Sequence, residues 1–293
     1  FSSSNRADPL SGLTARPALL LSEVPAISAS RRTLVRSLAS RKIRRRRGLF
    51  IVEGVRLVDD ALGDPSSVRF LYGTEAGLAR LASIPRSVDI GLLEAGDGDL
   101  FLTDEAQGIG AIVVMPPDCD PGDLVASSRP LRWLDQLRDP GNAGTIMRTA
   151  DWFGEVGLLF SRGSVDPWNP KAVRASMGGI LRVPVAIDCP FELLTSASSS
   201  NADRRPIIGM DSGGDPIVGG EQLPLDGIYL IGSEADGLGA EVRSHCDRFV
   251  SVPPGGLVDE NRPTTDGSRH VESLNAGVAA ALLLWELARS RIN

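Results

Sequence analysis

The chain has 293 residues, 42% hydrophobic and 23% charged, with a formal net charge of −6; this is the composition of a globular protein long enough for two domains. No apolar run reaches the ~18 residues of a membrane-crossing helix, the longest being Ala276–Trp285. Three scattered cysteines (Cys119, Cys189, Cys246) and two histidines (His245, His270) form no Cys-x-x-Cys pair and no metal-ligand spacing, which argues against a disulfide framework or a zinc site and fits a reducing cytosol.

Phe1–Pro25 is rich in Ser, Pro and small residues and reads as a poorly ordered segment, bounded at about residue 27. An organellar transit peptide is the alternative reading, although Asp8 and Glu23 are atypical of one. Residues 28–117 read as a small α/β domain. Periodicity predicts a basic helix near Arg31–Ser40, a strand at Leu49–Val52, a helix around Gly54–Leu62 and strands at Val68–Tyr72 and Ile109–Met115. The acidic average hides a basic span: Arg31, Arg32, Arg36, Arg41, Lys42, Arg44, Arg45, Arg46, Arg47 and Arg56 face a single acid, Glu53. Between Arg41 and Arg47 only Ile43 is uncharged, and like charges at helical spacing repel. The run reads as a phosphate-docking surface or, alternatively, as a solvated helix end. Residues 118–130 have the Pro, Gly, Asp and Ser content of a linker.

From Leu131 to the C-terminus, short apolar strands alternate with helices. Strand candidates are Leu131–Leu137, Val156–Ser161, Leu181–Ile187, Pro206–Met210, Ile228–Gly232 and Phe249–Val252, and a last helix runs from about Glu272 to Arg291. Such alternation predicts an α/β domain over 131–293 with a mostly parallel sheet covered on both faces. Between the first strand and its helix lies DPGNAGTIMRTA at Asp139–Ala150. Pro140, Gly141 and Gly144 predict a sharp turn, Asn142 offers a donor and an acceptor there, and Arg148 can point back at the loop. The pattern suits a polar or anionic ligand at a helix N-terminus.

Two further segments sharpen this reading: IYLIGSEADGLG at Ile228–Gly239, and SVPP at Ser251–Pro254 followed by ESLNAGVAAA at Glu272–Ala281. In order and spacing the three resemble the three motifs of the SpoU (TrmH-type) RNA ribose methyltransferases of the SPOUT superfamily. Ser164–Gly178 is also similar to that family, and Arg46–Gly54 resembles its L30e-like substrate-binding module. The resemblance implies a C-terminal α/β knot, a deep trefoil formed by the segments from about Tyr229 onward. It implies S-adenosylmethionine as methyl donor, no metal, and a ribose 2′-hydroxyl as acceptor, in ribosomal RNA first and transfer RNA second. A non-catalytic RNA-binding protein on the same fold is the other class considered. The family nominates Arg148, Asn142, Glu234, Ser273 and Asn275 for catalysis, with Asn142 on ribose or Arg148 and Glu234 beside the sulfonium or holding Arg148. Gly232, Ser233, Gly237, Val252, Pro254 and Leu274 would line the donor site, with Val252 and Leu274 facing adenine. Arg41, Lys42, Arg44, Arg45, Arg46 and Arg47 would bind RNA, and a homodimer in the cytoplasm is expected. Ser and Asn are also good helix N-caps, so Ser273 and Asn275 carry a structural alternative. Two departures stand out: Pro254 replaces the family's usual methionine, and Gly255–His270 is a longer connection than usual, read as a disordered loop or a lid.

Overall fold

Ser28 opens the first helix because its hydroxyl accepts the otherwise orphan amide of Arg31 at 3.3 Å. The computed structural model describes residues 24–103, 106–116, 119–127, 130–154, 157–197, 205–217, 223–234, 236–253 and 273–292. They fall into two units, Phe1–Met115 and Pro116–Asn293. In the first, α1 (Ala29–Ser37) and α2 (Arg41–Arg47) precede β1 (Leu49–Glu53), α3 (Val55–Leu62), β2 (Val68–Gly73), α4 (Glu75–Leu78), β3 (Ile90–Leu92) and β4 (Ile109–Val114). The sheet order is β1-β4-β2-β3, with β4 antiparallel to both β1 and β2, and β3 parallel to β2. Ile51, Phe70, Tyr72 and Ile112 from the strands bury against Val35 and Leu38 at the end of α1.

The arginines of α1 are committed to this unit's own acids. Arg31 pairs with Asp89 at 2.6 Å, Arg32 with Asp97 at 2.8 Å and Arg36 with Asp99 at 2.8 Å. Hydrogen bonds from these guanidinium groups hold the Asp97 and Asp99 carboxyls below the usual carboxylate range. The basic span is thereby neutralised over α1.

The second unit contains α5 (Pro121–Ala126), β5 (Leu131–Leu134), α6 (Pro140–Phe153), β6 (Gly157–Ser161), α7 (Pro170–Ser176), β7 (Val185–Cys189), α8 (Glu192–Ala197), β8 (Ile207–Pro216), β9 (Ile228–Ile231), α9 (Ala240–Ser244), β10 (Arg248–Ser251) and α10 (Ala276–Ile292). All six strands are parallel, in the order β10-β8-β9-β5-β6-β7. Successive strand residues point to opposite faces, and both faces are buried. Ile207, Ile228 and Leu230 join one cluster with Leu131 and Trp133; Ile208, Tyr229 and Val250 join another with Leu283 and Leu287 of α10. The predicted parallel α/β sheet is therefore present.

Several details differ from the sequence reading. The stretch read as a linker carries α5, capped by Asp120 and anchored by buried Val125. Strand β7 begins at Val185 because the apolar residues before it form a 3-10 turn at Gly179–Leu181. Strand β8 continues to Pro216, and its register against β10 jumps from Gly209 to Asp215, leaving Met210–Gly214 as an excursion. Gly144 lies inside α6, and a Cβ there would come within 2.4 Å of the Ala175 Cβ and 2.5 Å of the Ala172 carbonyl. It serves a close α6–α7 packing, not the loop. The implied knot runs through a stretch whose residues 254–272 lie outside the described ones. Among the described residues no helix is long and apolar enough to cross a membrane.

Candidate functional site

The connection from β5 to α6 is tied to the loops on either side of it. The Asp135 carboxylate accepts from the Gly239 amide at 3.0 Å, and the Gln136 amide donates to Ser161 Oγ at 2.8 Å. Arg138 reaches Asp236 at 3.5 Å. Asp139 is the N-cap of α6: its Oδ2 accepts from the Asn142 amide at 2.8 Å, and its Oδ1 accepts from Lys171 Nζ at 3.2 Å. Partial burial works to raise the Asp139 carboxyl, but the Asn142 amide and the Lys171 ammonium outweigh it and leave it below the usual range. Asp139 thus supplies a negative charge of its own at that helix N-terminus, so of the polar or anionic ligand expected there the polar one is favoured.

Asn142 is 7% exposed and central. Its Nδ2 donates to Glu234 Oε1. On its other side a Cβ at Gly277 would sit 3.2 Å from both Asn142 Oδ1 and Asn275 Oδ1, and 3.3 Å from the Thr145 Cβ. The three sequence motifs, separate in the chain, are thus joined through Asn142, which binds Glu234 on one side and faces the first turn of α10 on the other. Glu234 is held by Asn142, not by Arg148, a correction to one of the two roles given it from the sequence. Arg148 is exposed and has no hydrogen-bond or ion-pair partner among the described residues.

Gly232, Ser233 and Gly237 form a closed turn. The amides of Ser233 and Gly237 donate to each other's carbonyls at 3.1 and 3.0 Å, and the buried Ser233 Oγ accepts from the Asp236 amide at 3.2 Å. A Cβ on Gly232 would lie 2.2 Å from the carbonyl carbon of Gly237 and 2.4 Å from its oxygen. The close approach that Gly232 permits is to its own loop. Val252 is half-buried against the cluster that contains Leu283 and Leu287, whereas Leu274 is 47% exposed. Ser273 is exposed. Asn275 caps α10, its Oδ1 accepting from the Val278 amide at 3.2 Å, so the structural role foreseen for it is present. Pro254 and the Gly255–His270 connection lie outside the described residues.

No sequence motif marks Asp135 as the tie to Gly239, and the Met210–Gly214 excursion is likewise not among the expected elements. That excursion lies inside β8, the strand between β9 and β10, before pairing with β10 resumes at Asp215. The Gly213-Gly214 pair was its signal. Glu234 offers an exposed carboxylate, Val252 and Leu274 offer apolar side chains, and the turn offers the backbone of Gly232, Ser233 and Gly237, which are residue types that fit a cation attached to a flat ring. Among the described residues no group of three or more His, Cys, Asp or Glu side chains could hold a metal ion.

In the first unit, Arg41, Lys42, Arg45, Arg46 and Arg47 are exposed on α2. Arg44 is not: it is 2% exposed, and its Nη1 donates to the Leu38 and Ala39 carbonyls, both at 2.9 Å. Termination of α1 leaves those carbonyls without helical partners, and the long Arg44 side chain reaches back to satisfy them. Arg44 is therefore a structural residue and is withdrawn from the expected RNA-binding set.

Comparison with known proteins gives the same outline. The profile described as the SpoU rRNA Methylase family matches residues 132–285, and one described as an MRM3-like substrate binding domain matches residues 33–95. The chain is 31% identical over 276 residues to a 23S rRNA (uridine(2479)-2′-O)-methyltransferase from Streptomyces viridochromogenes, covering 87% of this chain and 88% of that one. It is 34% identical, over 78% of its length and 73% of the relative's, to an uncharacterized tRNA/rRNA methyltransferase from Mycolicibacterium paratuberculosis. Among solved structures, the SpoU methyltransferase AviRb from Streptomyces viridochromogenes, in complex with the cofactor AdoMet, superposes with a TM-score of 0.72 at 29% identity. That match covers 91% of this chain and 99% of the other.

Proposed function

The chain belongs to the SpoU rRNA methylase family, and from that premise we propose that it methylates a ribose 2′-hydroxyl in ribosomal RNA, using S-adenosylmethionine as donor. The observation that carries the reading is that Asn142 binds Glu234 on one side and lies beside Gly277 and Asn275 on the other, with Arg148, on the same helix, without a partner among the described residues. When bound, S-adenosylmethionine supplies a methyl group already activated by a positive sulfur. The protein must align the hydroxyl and stabilise charge as it develops. A guanidinium is a fixed cation and a poor general base, so the role of Arg148 is to grip the target phosphate and stabilise the nascent alkoxide. Asn142 fixes Glu234 so that its carboxylate faces the cationic donor, and Ser273 and Asn275 present the start of α10 to the ribose. The donor rests on Gly232, Ser233, Gly237, Val252, Pro254 and Leu274.

Ribosomal RNA is favoured as acceptor by the named activity of the Streptomyces relative. Transfer RNA is the second reading, since other relatives carry both names. The exposed cations of α2 other than Arg44 dock RNA phosphate without reading sequence. Leu274, Val278, Leu282 and Trp285 are all 38–53% exposed at helical spacing along α10 and its entry, with Trp152 of α6 at 83%. Such an apolar stripe supports a homodimer. We place the reaction in the cytoplasm, in keeping with the bacterial relatives. The test is transfer of labelled methyl from S-adenosylmethionine to unmodified 23S rRNA and to tRNA transcripts, followed by mapping of the 2′-O-methyl position. Incorporation that survives alkaline cleavage at one rRNA nucleotide is expected; methyl on a base, or none on either RNA, would overturn the reading.

A further inference from the structure

Among the described residues of the second unit, almost every cation has a partner within the protein. Arg138, Lys171, Arg182, Arg243 and Arg289 pair with acids. Arg132 and Arg205 donate to carbonyls. Arg174, Arg248 and Arg291 are also engaged. Two guanidinium groups remain without a partner among the described residues: Arg148, already placed in the site, and Arg162, which is also exposed.

Arg162 is held in a stiff setting. It follows β6 in the four-residue turn Ser161–Ser164, closed by the Ser164 amide on the Ser161 carbonyl at 3.2 Å, with Gly163 at φ +87° as third residue. That turn is fastened to the β5–α6 connection at three points. Ser161 Oγ accepts from the Gln136 amide at 2.8 Å, Ser164 Oγ donates to the Leu134 carbonyl at 3.2 Å, and the Val165 amide donates to the Leu137 carbonyl at 2.7 Å. The Arg162 backbone is thus positioned by the segment that leads into Asp139 and Asn142. A guanidinium on a rigid turn, with no partner among the described residues, contributes no ion pair or hydrogen bond to the fold there.

The strand order gives its place relative to the other loops. In open parallel sheets ligands bind at the carboxyl ends of the strands. Gly232 and Val252 follow β9 and β10, which lie on one side of β5; Arg162 follows β6, on the other. Helix α6, bearing Arg148, joins β5 to β6. Resting on the proposed transfer to RNA, we infer that Arg162 is a second phosphate-binding residue, one that positions the acceptor strand on the β6 side, opposite the donor. Arg148 holds the target nucleotide, and Arg162 holds the backbone of a neighbouring one. A planar guanidinium suits two phosphate oxygens, and the interaction fixes register without reading a base.

The experiment compares wild type with Arg162→Ala, Arg162→Glu and Arg162→Lys. Filter binding to an unmodified 23S rRNA transcript over a salt series is read beside methyl transfer at limiting and saturating RNA. The Ala variant is expected to bind RNA and to show a KM for RNA weaker by roughly five- to tenfold, with a salt slope shallower by about 0.7–0.9, the value of one neutralised phosphate. The Glu variant should be weaker still, and the Lys variant should keep the wild-type slope. Turnover at saturating RNA and affinity for S-adenosylmethionine should not change. An Ala variant with wild-type affinity and slope would overturn the inference, as would loss of turnover at saturating RNA with an unchanged KM. A wild-type protein that binds the transcript but transfers no methyl would sink the proposed function alone, because the salt slope still reads Arg162. A wild-type protein that does not bind the transcript would sink both.

Discussion

Replacing Gly232 by Ala separates a backbone-built donor loop from a side-chain-built one. An alanine Cβ would stand 2.2 Å from the Gly237 carbonyl carbon, 2.4 Å from its oxygen and 2.5 Å from the Leu238 nitrogen. All three are backbone atoms, so no rotamer change relieves the overlap, and the turn must open. Opening breaks the reciprocal Ser233–Gly237 pair at 3.1 and 3.0 Å. Two backbone hydrogen bonds at about 0.5–1.5 kcal/mol each amount to roughly 1–3 kcal/mol. If the closed turn is the form that binds donor, its apparent affinity falls by the same free energy, about five- to 150-fold. A Gly→Ala change at an unstrained, open position would instead stabilise slightly through the unfolded chain. Calorimetric titration with S-adenosylmethionine measures the loss, and circular dichroism melting checks that the variant is folded. A folded Ala variant that binds donor within twofold of wild type would show that the turn is not part of the donor site.

Four other outcomes are expected. Arg148→Ala should leave donor affinity near wild type and lower methyl transfer by at least ~100-fold, the scale on which removing one transition-state hydrogen-bond donor acts; retained turnover in a single-turnover assay would remove Arg148 from that role. Arg44→Ala removes two charged hydrogen bonds to carbonyls in a buried place, so it should destabilise the first unit by about 2–4 kcal/mol in urea melts; unchanged melting would return Arg44 to the surface set. Neutralising Arg45, Arg46 and Arg47 together should flatten the salt dependence of RNA binding by up to about one unit for each phosphate no longer held, with donor affinity intact; an unaltered slope would make α2 ordinary surface charge. Light scattering should give a dimer mass at micromolar concentration and a monomer mass for the Leu282→Glu, Trp285→Glu double variant, and a wild-type monomer would refute the dimer.

What the sequence determined by itself was largely local. Alternating apolar runs and helical periods placed the strands of a parallel sheet, because each run must bury itself between layers whatever its neighbours are. The family likeness rested on short contiguous motifs, so Asn142, Arg148, Glu234 and Asn275 could be nominated before any fold was known. Pairings between distant segments were not legible. That Asn142 holds Glu234, and that Asp135 ties the first loop to Gly239, depends on β9 lying beside β5, an order that no local pattern encodes. Charge was read as a sum along the chain, whereas the tertiary structure sorted it: α1 against Asp89, Asp97 and Asp99, Arg44 against carbonyls, and Arg148 and Arg162 against nothing among the described residues. Composition marked residues 118–130 as a linker, but a short helix forms there, capped by Asp120 and packed into the core through Val125 and Leu124, contacts that composition does not show. Backbone conformation and hydrophobic patterning are written residue by residue; the pairing of polar groups is settled only when the packed sheet decides which loops stand side by side.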